Sequence, residues 1–223
     1  MLKVKLESNI LSSNDLLAKK NRSQFADQQI LVLNLMSSPG AGKTTILEKT
    51  LGILQGQVKL GVIEGDLYTD QDALRIEKTG VQVIQINTEG TCHLDAGMIG
   101  QAFRDLPEKD VDIIFIENVG NLVCPAEFDL GEDFKVVVLS TAEGNDKPLK
   151  YPLIFREARA VILNKVDLLP YTDFSMDKFY EDLAKINPSV PIFAVSGRTG
   201  EGISAWANWL LKEVREKQGL GED

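Results

Sequence analysis

The chain is short of soft metal ligands and of positive charge. Its 223 residues include two cysteines, Cys92 and Cys124, and a single histidine, His93. That supply cannot make a disulfide scaffold, so a reducing, cytoplasmic setting is the expectation. Lys and Arg number 24 against 33 Asp and Glu, a net charge of −9 with no basic cluster, so nucleic acid is not an expected partner. No apolar run is long enough to cross a bilayer, and no membrane partner is expected. The opening MLKVKLESNI lacks the apolar core of a signal peptide. Internal repeats and low-complexity tracts are missing too. With 43% apolar residues, the length suits one α/β domain with a short N-terminal extension.

What is present is concentrated between Ile30 and Thr45, ILVLNLMSSPGAGKTT. The apolar run 30–35 predicts a buried strand. A glycine-bearing loop follows, then a helical pattern through Leu54. Strand, loop and helix in that order are what a phosphate-binding loop requires. Small residues let backbone N–H groups turn toward a phosphate, and the helix N-terminus adds positive partial charge. Ser38, Pro39, Gly40, Ala41, Gly42, Lys43, Thr44 and Thr45 are therefore the candidate phosphate contacts. Lys43 would reach the β- and γ-phosphates, and the Thr44 hydroxyl would ligate Mg²⁺. The pattern G-x-x-x-x-G-K-[ST] wants glycine at position 37, where this chain has serine. Gly40 and Gly42 supply the missing freedom.

Apolar runs at 58–63, 81–86, 111–116, 134–139, 160–163 and 192–195 predict six more strands. Helical patterns follow several of them, at 67–78 and at about 94–103, so the expected fold is α/β, a mostly parallel sheet flanked by helices. The expected division is an N-terminal extension with a helix over 1–29, a nucleotide-binding domain over 30–217 and a tail over 218–223. In the extension, Val4 and Leu6 alternate with charge and suggest a short edge strand. Ser13 or Asn14 would cap a helix to about Gln28, packed on the domain through Leu16, Leu17 and Phe25. The last helix, 203–217, carries Trp206, Trp209, Leu210 and Val214 at helical spacing, which reads as core packing.

Ligands of open α/β sheets sit beyond the carboxyl ends of the strands. Glu64 and Asp66 fall at such an end and would face Mg²⁺ directly or through water. The stretch 67–78, with Asp70, Asp72 and Arg75, lies where a nucleotide-sensing switch would be. Glu117 ends the run VDIIFI as the acid of a Walker B site does, and the Gly120 N–H could sense a γ-phosphate. Lys43, Asp66 and Glu117 are the expected catalytic set. No glutamine or arginine finger is evident, so slow hydrolysis is expected.

The second motif is Asn164-Lys165-Val166-Asp167, an N-K-x-D. The Asp167 carboxylate can accept from guanine N1–H and its 2-amino group. Adenine offers neither donor, and an unpaired carboxylate costs roughly 1–3 kcal/mol or more. The Lys165 stem would lie along the base and Asn164 would brace the loops. Ser196, Gly197 and Arg198 would close over the base through backbone N–H groups.

Cys92, His93 and Cys124 are the whole stock of soft ligands. Thiolate and imidazole suit Zn²⁺, Ni²⁺ or Cu. Three ligands from one chain are a marginal set, and a second chain across a two-fold axis would double it. Buried cysteines also occur with no metal at all. The position of Cys124 in the loop after Glu117, beside Pro125, favours the metal reading.

Together, SSPGAGKT, the EGD and DA-x-R of residues 64–75, GTCHLDA, ENVGNLVCP, the Asp146-Lys147-Pro148 loop and NKVD resemble the hydrogenase nickel-incorporation GTPases called HypB. The resemblance covers about residues 10–217. It implies a SIMIBI-class P-loop GTPase that dimerises on binding GTP with Mg²⁺. It also implies delivery of Ni²⁺ to the large subunit of [NiFe]-hydrogenase, alongside a HypA-type zinc protein. Cys92, His93 and Cys124 match the family's Ni²⁺ or Zn²⁺ site, and Lys147 matches a nucleotide-loop lysine that reaches across the dimer. Some members carry an N-terminal Cys-rich motif or a His-rich tract, and this sequence shows neither. Three readings compete with this one: a urease-type nickel chaperone, a P-loop small-molecule kinase, and a metal buffer without turnover.

Overall fold

The computed structural model describes residues 6–220. In chain order these form α1 (Leu6–Asp27), β1 (Leu31–Ser37), α2 (Lys43–Leu54), β2 (Leu60–Asp66), α3 (Gln71–Glu77), β3 (Gln82–Asn87), α4 (Ala96–Asp105) and β4 (Ile113–Glu117). Then come α5 (Cys124–Glu127), β5 (Phe134–Ser140), α6 (Lys147–Lys150), α7 (Pro152–Arg156), β6 (Ala158–Asn164), α8 (Met176–Ala184), β7 (Ile192–Ala194) and α9 (Ile203–Lys217). The strands make one seven-stranded sheet in the order β3-β2-β4-β1-β5-β6-β7, and every pairing is parallel.

A parallel sheet is covered on both faces, so its central strands are apolar on both sides. β1 obeys this and is buried along its whole length. On one face α2 and α9 pack Leu47, Leu51, Trp206 and Leu210 against Leu33, Leu35, Phe115 and Val138. On the other, Phe25 of α1 and Ile99 and Phe103 of α4 cover Val32, Ile63, Ile114 and Ile116. Beyond β5, α7 and α8 bury Ile154, Phe155, Phe179 and Leu183 over Val137, Leu139 and Val161. β1 lies between β4 and β5, where the order in which the chain adds strands reverses, and the crevice at its carboxyl end is the natural ligand site. Among the described residues, no helix is long and apolar enough to cross a membrane.

The parallel sheet flanked by helices and the N-terminal helix packed through Phe25 are as expected, but the start and the buried stripe of that helix are not. Leu6 is helical and does not form an edge strand, while Val4 lies outside the described residues. α1 begins eight residues before Asn14, so neither Ser13 nor Asn14 caps it. Its buried stripe is Asn14, Ala18, Asn21 and Phe25, whereas Leu16 and Leu17 are 70% and 45% exposed. Two asparagines thus sit where apolar residues would mark a helix face, which hid the stripe. β2 runs three residues past its expected end, so Glu64 is inside the sheet and buried. The helix α8, capped by Ser175 and packed through Phe179 and Leu183, was not anticipated. At the C-terminus, Gln218 still bonds Asp112, and residues 221–223 lie outside the described range.

Candidate functional site

The loop after β1 turns on Gly40 and Gly42, at φ +75° and +97°, a left-handed backbone that favours glycine. Helix α2 starts directly behind it. Ser37, standing in place of the pattern's glycine, is the last residue of β1. Its hydroxyl donates to Ser38 O at 2.7 Å and accepts from Lys43 Nζ at 3.0 Å, so the serine positions the loop lysine. The Ser38 hydroxyl bonds Glu143. A cavity of about 360 Å³ opens here, lined by Pro39, Gly40, Gly42, Lys43, Thr44 and Thr45 on the loop side. Opposite stand Glu64, Asp66, Asp72, Arg75, Glu117 and Gly120.

The acids of this cavity differ in state. Glu64 on β2 and Glu117 on β4 are cross-strand partners on adjacent parallel strands, both buried. Burial, then the facing Glu117 and Asp66, push Glu64 up to about 8. Burial also raises Glu117. Thr44 Oγ1 donates to Glu117 Oε1 at 2.7 Å, while Oε2 of Glu117 and Oε2 of Glu64 are buried with no partner. For Asp66, burial is outweighed by the N–H groups of Tyr68 and Thr69, each donating to Oδ1 at 2.9 Å, and its carboxyl lies below the usual range. Carboxylate oxygens of Glu64, Asp66 and Asp72 lie within 4.8 Å of one another. Two orphaned buried oxygens, a third acid and a hydroxyl are a donor set for a hard cation such as Mg²⁺. Arg75 reaches into this side, bonded to Glu48 at 2.6 Å, Asp72 at 3.1 Å and Thr45 Oγ1 at 3.1 Å.

The N-K-x-D segment ends β6 and leans on the glycine loop. Asn164 Nδ2 donates to Ala41 O at 2.8 Å, and its Oδ1 accepts from Gly197 N at 2.9 Å. One buried side chain therefore ties the phosphate loop to the 196–198 loop. Lys165 Nζ donates to Gly40 O at 2.7 Å. Asp167 Oδ1 accepts from Ser196 Oγ at 2.6 Å, which orients its carboxylate. Arg198 is exposed. Lys147 stands apart from the cavity lining, at the start of α6, with its ammonium 6.0 Å from the Tyr151 ring centre.

Cys92, His93 and Cys124 come together from two loops. Cys92 Sγ lies 3.1 Å from Cys124 Sγ and 3.8 Å from His93 Nδ1. A metal–sulfur bond of roughly 2.3 Å in a tetrahedral site puts ligand atoms about 3.8 Å apart, so the cluster has the right scale for one ion. Burial lowers the His93 pKa, favouring the neutral, ligating imidazole. The hydrogen bond to Cys92, with burial, raises the Cys124 thiol. Both thiols are free, and Cys92 is exposed.

The two sites share a loop. It leaves β4 at Glu117 and reaches Cys124 at the start of α5. Gly120 presses on the phosphate loop: a Cβ there would stand 3.1 Å from the Cα and N of Pro39. Asn118 Oδ1 accepts from Leu94 N at 3.2 Å and Val119 N at 2.9 Å, and its Nδ2 donates to Asn34 Oδ1 at 3.1 Å. Asn34 in turn reaches Glu132 at 3.4 Å. Sequence reasoning missed this buried network and did not count Arg75 or Asn118 as site residues. The signal available was Asn34, a polar residue in the middle of an otherwise apolar central strand.

A seven-stranded parallel sheet, its glycine loop at the switch point and an acid at the end of the neighbouring strand define a P-loop nucleotide-binding protein. A family model described as "CobW/HypB/UreG, nucleotide-binding domain" matches residues 31–194. "Hydrogenase maturation factor HypB" of Escherichia coli K12 is 53% identical over 207 residues, 93% of this chain and 71% of that protein. The crystal structure of a hydrogenase maturation factor HypB from Archaeoglobus fulgidus superposes with TM-score 0.85 at 37% identity, over 92% of this chain and 100% of that one. That of HypB from Helicobacter pylori in complex with nickel superposes with TM-score 0.87 at 42% identity, over 92% and 96%. The chain belongs to the CobW/HypB/UreG nucleotide-binding family, in its HypB branch.

Proposed function

We propose that the protein is a GTP-hydrolysing metallochaperone that helps insert nickel during hydrogenase maturation. The observation that carries this reading is the loop 117–124. Its first residue accepts from Thr44 of the phosphate site at 2.7 Å, and its last is the thiol 3.1 Å from Cys92. Fuel and cargo would pull on opposite ends of one short segment.

In this reading Ser38 to Thr45 wrap the phosphates with their N–H groups, and Lys43 leaves Ser37 to meet the β- and γ-oxygens. Mg²⁺, held by Thr44, Asp66 and Glu117, would neutralise charge developing between those phosphates. Glu64 deepens the acidic side of that site. Asp66 and Glu117 orient the attacking water, and GTP and water become GDP and phosphate. Gly120 donates its N–H to the γ-phosphate, and losing that phosphate frees the loop. The base sits against Lys165, Asp167 and the 196–198 backbone. An Asp167 orientated by Ser196 favours a guanine donor pair over the small-molecule kinase reading, which needs no such carboxylate.

Nickel is the cargo at Cys92, His93 and Cys124, and Zn²⁺ fits the same donors. A GTP-dependent homodimer would bring two such triads to one axis, with Lys147 free to reach the partner's nucleotide. A HypA-type zinc protein would supply nickel, and the hydrogenase large subunit would receive it. Two free thiols in contact suit the reducing cytoplasm. The base assignment is tested by Asp167→Asn. The variant is expected to lose GTP affinity by about 10-fold or more and to gain xanthosine triphosphate turnover. Unchanged GTP preference, measured by competition binding, would overturn it.

A further inference from the structure

Helix α1 does more than cover the sheet. Its two buried asparagines take up both backbone polar groups of one residue: Ala96 N–H donates to Asn14 Oδ1 at 2.8 Å, and Ala96 O accepts from Asn21 Nδ2 at 2.7 Å. The same two side chains then reach a second segment. Asn14 Nδ2 donates to Asp129 O at 2.8 Å, and Asn21 Nδ2 to Leu130 O at 3.0 Å. Ala96 lies three residues after His93, and Asp129 lies five residues after Cys124. The helix therefore ties together the two segments that carry the thiol and imidazole ligands. Between the ties, Phe128 lies against His93 with ring centres 3.9 Å apart.

The approach is too close for ordinary side chains. A Cβ on Gly131, at φ +91°, would stand 2.6 Å from Ala18 O and from Asn21 Cβ. One on Gly100 would stand 2.8 Å from Asn21 Oδ1. Asn14 and Asn21 are 6% and 5% exposed. An asparagine buried there without partners would cost stability, so the four bonds fix the helix in one register.

We propose that Asn14 and Asn21 are positioning residues for the Cys92–His93–Cys124 site. By holding Ala96 and Asp129–Leu130 on one rigid helix, they set the spacing of the two ligand-bearing segments before a metal arrives. Free segments would have to be ordered by the metal, and affinity would fall by that cost. This rests on the reading that the cluster binds Ni²⁺.

The test uses the full chain with Ni²⁺, read by chelator competition and by thiolate-to-nickel charge-transfer absorption. Asn21→Leu keeps the branched four-atom shape of the side chain and removes the two bonds that Asn21 makes, while those of Asn14 remain. It is expected to weaken Ni²⁺ binding about 10-fold or more, the usual scale for groups that orient ligands, and to lower the absorption per bound nickel. Nucleotide affinity without metal stays at the wild-type value. Phe25→Leu is the control, because the Phe25 ring packs edge-on to Phe103 at 5.0 Å within the apolar cluster and makes no hydrogen bond to either ligand segment. It lowers stability but leaves the nickel affinity and spectrum alone. Asn14→Ala decides the matter if Asn21→Leu does not fold. Wild-type affinity and spectrum in the asparagine variants would overturn the proposal, as would an equal loss in Phe25→Leu. A wild type without a thiolate–nickel band would remove the metal reading itself, and the positioning role with it.

Discussion

At the scale of single residues, Glu64 is a buried acid held well above the usual carboxylate range. It sits inside β2 opposite Glu117, with one oxygen unpaired, and is held up to about 8. A carboxyl raised on folding binds its proton more tightly in the native state than in the unfolded one. Its contribution to stability is therefore full below its ordinary 4.5 and is lost as pH rises toward about 8. Without Mg²⁺ and nucleotide, the protein is expected to lose stability across that window. Glu117 and Glu132, raised by burial as well, add to the decline. Glu64→Gln should flatten part of it, so that the variant gains on the wild type as pH increases. Urea unfolding at several pH values reads this directly, and a decline identical in both proteins would contradict it. The burial of Glu64 depends on how far β2 extends. Composition does not reveal that, which is why an acid expected just past a strand's carboxyl end proved to be inside the sheet.

At the scale of elements, the contact between the phosphate loop and the loop 117–124 is backbone against backbone. Gly120→Ala would place a methyl 3.1 Å from the Cα and N of Pro39, neither of which can turn aside as a side chain can. The variant is expected to lose about 1–3 kcal/mol of stability or to displace the loop, and to bind GTP more weakly. Denaturant unfolding and GTP titration with wild-type values would contradict that close contact. The elements most legible in the sequence were those written locally. The run ILVLNL followed by a glycine loop, the apolar strands and the final helix needed nothing beyond their own residues. The elements misread were those whose logic is tertiary. Asn14 looks like a cap because asparagine favours caps, yet its partners are Ala96 and Asp129. α8 did carry a legible sign, Ser175 followed by Phe179 and Leu183 one turn apart, that was passed over.

At the scale of the whole molecule, two sites share one frame. Asn118 follows the buried Glu117 and holds Leu94, just after His93, while Asn34 and Glu132 carry the network under β1 to Leu130. Most residues of the two candidate sites stand in local motifs and were named as site residues from sequence, whereas Arg75 and Asn118 were not. The wiring between the sites was not legible there, since it depends on strand register and on helix α1. A rigid frame that touches both sites is a route for coupling, and coupling is reciprocal: whatever GTP does to nickel affinity, nickel must do to GTP affinity. The decisive measurement is the nickel dissociation constant with a non-hydrolysable GTP analogue and with GDP, together with the analogue's affinity with and without nickel. The expected result is a difference between nucleotide states of roughly 5–150-fold, mirrored by the same factor in the reciprocal titration. Equal nickel affinity in both nucleotide states would contradict the account.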